Sequence, residues 1–254
     1  MKNLLKFEFH KLFRQKSFYI CTAIMFAFSF LAVIIIEVLI NNAPVDMSEL
    51  ITKPQSCWDI LLSTIDNSNL ILISSIFIAI FICEDFSSGT IKNIYARGFS
   101  KSNVFAAKLI VVATAALIMF GVNLIFSLLV GLIFYGTGPL DIKYIWLILS
   151  QIPLVLANTA FTFAICMISK KIGPSIAISI LGIMIIGLFF SLADAALTLD
   201  SFKIADLWLD GMLAKLISPA ATAAEIERAL ACCVVYIVSF IVISYNINKK
   251  QENY

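Results

Sequence analysis

Six apolar stretches, separated by short polar segments, set the pattern of this chain. They run from Phe18 to Ile40, Ile60 to Cys83, Leu109 to Tyr135, Tyr144 to Ile168, Pro174 to Leu197 and Ala229 to Ile247. A helix rising ~1.5 Å per residue needs roughly 20 apolar residues to cross a hydrocarbon layer ~30 Å thick, so each stretch is read as a spanning helix. Asp66, Asn67 and Asn69 interrupt the second. The remainder, Leu70 to Cys83, is too short alone, so the helix is expected to continue outward through those polar residues. The predicted fold class is an all-α membrane protein with six transmembrane helices.

The flanking segments predict three further elements. In residues 1–17, Leu5, Phe9, Leu12 and Phe13 share one helical face and Lys6, Lys11 and Arg14 lie elsewhere. That is an amphipathic interface helix on the cytoplasmic membrane surface, expected to remain on the chain rather than be cleaved. In the loop 84–103, Ser87 to Gly89 opens a turn and Thr90 to Ala96 forms a short helix with Ile91, Ile94 and Tyr95 on one face. Gly98 stops that helix and Ser100 caps the next. In the external loop 199–228, Ile204, Trp208, Met212 and Leu216 recur every four residues, which predicts an interfacial or re-entrant helix before the last span. Thr222 and Glu225 have capping-box spacing and should start the last helix near Ala223. The chain thus divides into the interface helix, 1–17, and a six-helix transmembrane domain, 18–254.

Composition agrees. The 254 residues are 61% hydrophobic and only 13% charged, with a mean hydropathy of +1.00, whereas soluble domains are ~45–50% apolar and ~25% charged. Charge placement gives the orientation. Lys2, Lys6, Lys11, Arg14, Lys16, Lys92, Arg97, Lys101, Lys108, Lys170, Lys171, Lys249 and Lys250 fall on the side of both termini; only Lys53, Lys143, Lys203, Lys215 and Arg228 fall on the other. Excess Lys and Arg marks the cytoplasmic side, so both termini are expected in the cytoplasm. The six cysteines and the single histidine, His10, show no metal-ligand spacing. No metal site and no nucleic-acid partner is expected; the surrounding lipids are.

Polar residues within spans are costly and therefore informative. Ser63, Asp66 and Asn69 share a face of the second span, Asn123 sits midway along the third and Asn158 midway along the fourth. These five could line a substrate path or a dimer interface, or simply hydrogen-bond between helices. The chain contains no G-x-x-x-x-G-K-[ST] phosphate loop, no H-E-x-x-H and no G-x-S-x-G, so no catalytic residues are assigned.

The loop after the second span carries a resemblance. Glu84, Gly89-Thr90, Lys92, Gly98, Ser100-Lys101 and Lys108 resemble the E-x4-G-T-x-K…G-x-S-[RK]…K pattern of type-2 ABC transporter permeases, among them the permeases of lantibiotic-immunity, bacitracin-resistance and peptide-export systems. The resemblance implies a bacterial plasma-membrane exporter subunit with a cytoplasmic coupling helix. Glu84, Asp85, Phe86, Gly89, Thr90, Ile91, Lys92, Ile94, Tyr95, Arg97, Gly98, Ser100 and Lys101 would carry the ATPase coupling. It also implies two copies of an ABC ATPase subunit as partners, with ATP and Mg bound there and no cofactor on this chain. A second permease chain, identical or related, and an amphipathic peptide or other hydrophobic substrate complete the set. The competing expectation is a self-contained secondary transporter or channel, which would need ionisable relays or broken helices near the bilayer centre.

Overall fold

The computed structural model describes residues 1–42, 56–66, 69–139, 141–197, 203–217 and 221–250, without the side chains at 40–42, 63–66, 69 and 197. Among the described residues all regular structure is helical. Six helices are long and apolar enough to cross a membrane: α2 (Lys16–Asn42), α4 (Asn69–Ser87), α6 (Lys101–Tyr135), α7 (Ile142–Ser169), α8 (Ile172–Leu197) and α10 (Ala223–Lys250). Between and beside them lie α1 (Lys2–Arg14), α3 (Cys57–Asp66), α5 (Thr90–Ala96), a 3-10 turn at Ile204–Leu207 and α9 (Leu209–Ile217).

The second span differs from its expected bounds. Ile60 belongs to α3, and residues 67 and 68, through which the span is expected to continue, lie outside the described residues; at its other end the span runs past Cys83 to Ser87. Two acidic residues can stay helical there because each has a partner: Asp85 pairs with Lys11 and Lys108, and Glu84 accepts from Gln15 Nε2 at 2.7 Å. Helix α3 is packed rather than free. Ile60, Leu61 and Leu62 are buried, and Cys57 N–H donates to Gly136 O at 3.2 Å. A Cβ on Gly131 would stand 3.0 Å from Cys57 Cα, so α3 can lie this close to α6 only over a glycine.

Helices α4 and α7 form the centre. About two thirds or more of their apolar windows is buried in protein (67% and 72%), against 22% for α2 and 11% for each of α8 and α10. Asn158 Nδ2 on α7 donates to Ile71 O (3.4 Å) and Ser75 Oγ (3.3 Å), and Ser75 bonds Thr162 at 3.0 Å. In an apolar medium, interhelical bonds of this kind are worth ~0.6–2 kcal/mol each. Phe77, Phe81, Met119 and Phe163 fill the space around this seam. The outer helices leave Ile178, Leu188, Phe189, Val235 and Val238 exposed, surface that water would not tolerate in such quantity.

The segment before α10 folds inward against the spans. The Asp194 carboxylate accepts Ile204 N–H (2.5 Å) and Ala205 N–H (2.8 Å), which satisfies donors at the start of the turn. Trp208 donates to Ile183 O at 2.9 Å, near the midpoint of α8, and its ring stands edge-on to Phe161 and Tyr236. Of the four positions at the predicted spacing, Trp208, Met212 and Leu216 are buried and Ile204 is half-buried; the expected single helix is split into the 3-10 turn and α9, and Leu209 is buried beside them. Lys215 pairs with Asp206 (3.4 Å) and Glu225 (3.2 Å). Thr222 and Glu225 exchange the reciprocal bonds of a capping box, at 2.9 and 3.4 Å, and α10 starts at Ala223 as expected.

The turn closes only because residue 211 is glycine: a Cβ there would run into the Ala205 carbonyl. Gly211→Ala should destabilise the fold by roughly 1–3 kcal/mol, as overpacking of a filled site does. The midpoint of thermal unfolding in detergent, followed by size-exclusion chromatography, measures it; an unchanged midpoint would show that the turn relaxes freely.

Candidate functional site

The most structured polar feature lies at the end of the bundle where α1, α5, the last turn of α4 and the first turns of α6 meet. Sequence fixes the path of the chain here. Gly89 takes φ +70°, a left-handed conformation that turns the chain from α4 into α5. Gly98, at φ +84°, ends α5 in the same way. Ser100 then accepts Asn103 N–H at 3.3 Å and starts α6.

Helix α5 is two-faced. Ile91 and Ile94 are 5% and 6% exposed, and Ile94 packs with Leu4, Val104 and Ala107. The apolar face is therefore occupied by α1 and α6 of the same chain. Lys92, Asn93, Ala96 and Arg97 are exposed, with Tyr95 and Phe99 half-buried at the flank. Any soluble partner meets this outer, mostly polar face.

Beneath α5 sits a buried ion cluster. Lys108 of α6 and Glu8 of α1 have fully buried side chains, and Asp85 of α4 is nearly so. Lys108 Nζ bonds Asp85 Oδ2 and stands 3.1 Å from Glu8 Oε1; Lys11 Nζ stands 2.5 Å from Asp85 Oδ1. The Glu8 pair is an ion pair without hydrogen-bond alignment, and Glu8 Oε2 has no hydrogen-bond partner. Lys11 also donates to Phe81 O (3.3 Å) and lies 4.5 Å from the Phe81 ring centroid. Two lysines balance two carboxylates, so the cluster is neutral. Desolvating each ion still costs several kcal/mol, and only the mutual attraction of all four offsets that.

This arrangement changes the reading of α1. Its buried line is Leu4, Glu8 and Leu12, against α6 and the core, with Leu5 and Phe9 half-buried beside it. Phe7 and Phe13 are the exposed aromatics. The helix is held by the protein's own charges as well as by any lipid. Glu8 and Lys108 were absent from the residues singled out above for coupling. A signal exists for Glu8: it interrupts the Leu4–Leu12 stripe at i+4, where an isolated surface helix would carry an apolar residue.

The other predicted residues are dispersed. Glu84, Gly98 and Ser100 are exposed, Phe86, Gly89, Thr90 and Lys101 intermediate, and Asp85 is turned inward into the cluster. Asn123 is buried and accepts from Ser29 Oγ at 2.8 Å, joining α6 to α2. Asn158 joins α7 to α4. The bonds of both amides connect helices of one chain. The side chains of Ser63, Asp66 and Asn69 lie outside the described residues. Among the described residues no group of His, Cys, Asp and Glu could hold a metal ion.

The profile of the family described as ABC-2 family transporter protein matches residues 4–192, from α1 through the ion cluster and α5 into α8. No curated protein matches the chain.

Lys108→Met leaves Glu8 and Asp85 buried with Lys11 alone, and should cost about 3–5 kcal/mol of stability. Glu8→Leu combined with Lys108→Met leaves the Asp85–Lys11 pair intact and should recover most of that loss. Thermal midpoints of the single and double variants in detergent test the pairing; equal losses in both would mean that Glu8 and Lys108 are not energetically linked.

Proposed function

Because the chain belongs to the ABC-2 family of transporter proteins, we propose that it is the permease of an ATP-driven exporter whose ATPase is a separate subunit docking on α5. The observation that carries this reading is the mounting of α5. Its Ile94 packs between Leu4 of α1 and Val104 and Ala107 of α6, and the same two helices are tied to α4 by a four-charge cluster that includes Lys108, the residue after Ala107. Its outer face is short, polar and exposed. A push delivered there would move three membrane helices together rather than deform a loop.

The working cycle follows as a two-state change. ATP and Mg bind the partner subunit, two ATPase copies close on each other, and each drives one α5. Two permease chains, identical or related, would enclose the path, and the exposed apolar surfaces of α2, α8 and α10 offer room for a second chain and for lipid. With few charges facing outward along the spans, the cargo is an amphipathic or hydrophobic molecule, and a secreted or antimicrobial peptide has that character. The basic bias of the α1–α5 end supports a cytoplasmic location for both termini, and the resemblance to type-2 permeases supports a bacterial plasma membrane. The segment 204–217, with Trp208 bonded near the middle of α8, acts as a re-entrant element at the outer side. The competing idea, a self-contained secondary transporter, has less behind it, because the mid-span amides Asn123 and Asn158 spend their bonds on helix packing.

Reversing charge on the outer face tests the proposal without disturbing the core. Lys92→Glu with Arg97→Glu should cut recovery of the ATPase in a pull-down by about tenfold or more, the effect expected when like charge replaces complementary charge at a docking surface. The variant should keep its wild-type elution volume and thermal midpoint. Undiminished recovery would remove α5 as the docking element. Aspartates at Ile91 and Ile94 are a poorer probe, since burial of those side chains means unfolding would precede any loss of docking.

A further inference from the structure

A second site lies in the part of the fold that coupling leaves unused. Between α8 and the segment before α10 is a cavity of about 310 Å³, lined by Met184, Gly187, Leu188, Ser191, Ala205 and Asp210. Its walls are apolar apart from Ser191, whose hydroxyl is turned back to Gly187 O at 3.0 Å, and Asp210. Asp210 is half-buried. Its carboxylate lies so close to α8 that a Cβ on Gly187 would stand 3.2 Å from Oδ2. No described residue hydrogen-bonds or ion-pairs with it. The neighbouring cation, Lys215, is committed to Asp206 and Glu225.

Depth makes this arrangement informative. Gly187 lies ten residues before the C-terminal end of α8, which at 1.5 Å per residue is about 15 Å inside the bundle. A carboxylate at that depth is costly unless something pairs with it. Helix α9 offers it only the weak field of a nine-residue helix start, which does not account for the adjoining space. The exposed rim is Met184 and Leu188, at 59% and 60%, so a ligand can enter sideways from lipid.

We propose that this cavity binds a primary ammonium group carried on an apolar tail, with Asp210 as its counter-charge and Met184 and Leu188 along the tail. Two molecules share that chemistry: a cationic amphiphile that the protein moves, and an aminophospholipid of the bilayer. Binding itself stands on this geometry alone; use of the cavity as a cargo site rests on the transporter reading above.

Trp208 adjoins Gly187 and so reports on the cavity. In the full chain carrying Trp58→Phe and Trp146→Phe, it is the remaining tryptophan. In detergent, dodecylamine brominated on its tail should quench its fluorescence saturably, and the equally brominated dodecanol about tenfold more weakly. Asp210→Asn should weaken the amine by about tenfold and leave the alcohol unchanged. Leu188→Trp, replaced at an exposed rim position and read by displacement of radiolabelled dodecylamine, blocks the cavity from the lipid side and should lose binding even where Asp210→Asn folds poorly. In nanodiscs without added amine, quenching by tail-brominated phosphatidylethanolamine but not phosphatidylcholine identifies the lipid as occupant; quenching only on adding the amine identifies a mobile amphiphile. Equal quenching by amine and alcohol, unaffected by Asp210→Asn, overturns the site. That failure would leave ATPase docking on α5 intact, and loss of docking would leave the quench intact.

Discussion

The buried meeting of Lys108, Asp85, Glu8 and Lys11 is the constraint on which the rest of the structure depends. The four charges come from three helices, α1, α4 and α6. Helix α4 can run on through Glu84 and Asp85 because a lysine waits on each side of Asp85. Helix α1 lies against α6 because Glu8 has nowhere else to be neutralised. Removal of one member strands another in low dielectric, so the ions hold as a set. Such a set fixes position more than it adds stability. It joins α1, α4 and α6 into one block, and α5 packs on that block through Ile94.

How legible was this in the sequence? The spans and the short helix were, because each is marked by local physics. Apolar length gives the spans, and Gly89, Gly98 and Ser100 punctuate α5 through backbone conformation and capping that no tertiary contact needs to supply. The Thr222–Glu225 box and the Trp208 spacing are local in the same sense. The failures are all non-local. Asp85 looked like a charge at a membrane edge, when it is a charge with partners 74 residues before it and 23 after it. The inward end of the second span, to Ser87, depends on the partners of Asp85, which apolar length does not reveal. The apolar face of α1 was assigned to lipid because periodicity cannot tell a lipid-facing stripe from one packed on a neighbouring helix. Asn123 and Asn158 were visible as mid-span amides, but whether such a group points to a path or to a neighbour depends on helix rotation, which one sequence does not fix.

At the opposite end small residues set the approach of the backbones, alongside the ion pairs of Lys215 with Asp206 and Glu225. Gly187 lets Trp208 and Asp210 lie on α8, Gly211 lets the chain double back on Ala205, and Gly131 lets α3 lie on α6. A Cβ at Gly131, Gly187 or Gly211 would meet its neighbour at 3.2 Å or less, so these approaches depend on the missing side chain.

Helix α8 connects the two. Near its start, Ser175 bonds Cys83 Sγ of α4 at 3.1 Å, and Lys170 just before it lies 5.5 Å from the Phe86 ring centroid, at the last turn of α4. At its middle it accepts the Trp208 indole, and near its far end Asp194 holds the 3-10 turn. It also packs along α4 and α7, although only 11% of its apolar window is buried. A displacement of the α1–α4–α6 block would thus reach α8 at the residues that touch α4. From there it would pass along α8 to the residues that meet Trp208 and the 3-10 turn, because those hydrogen bonds are where α8 touches the segment before α10.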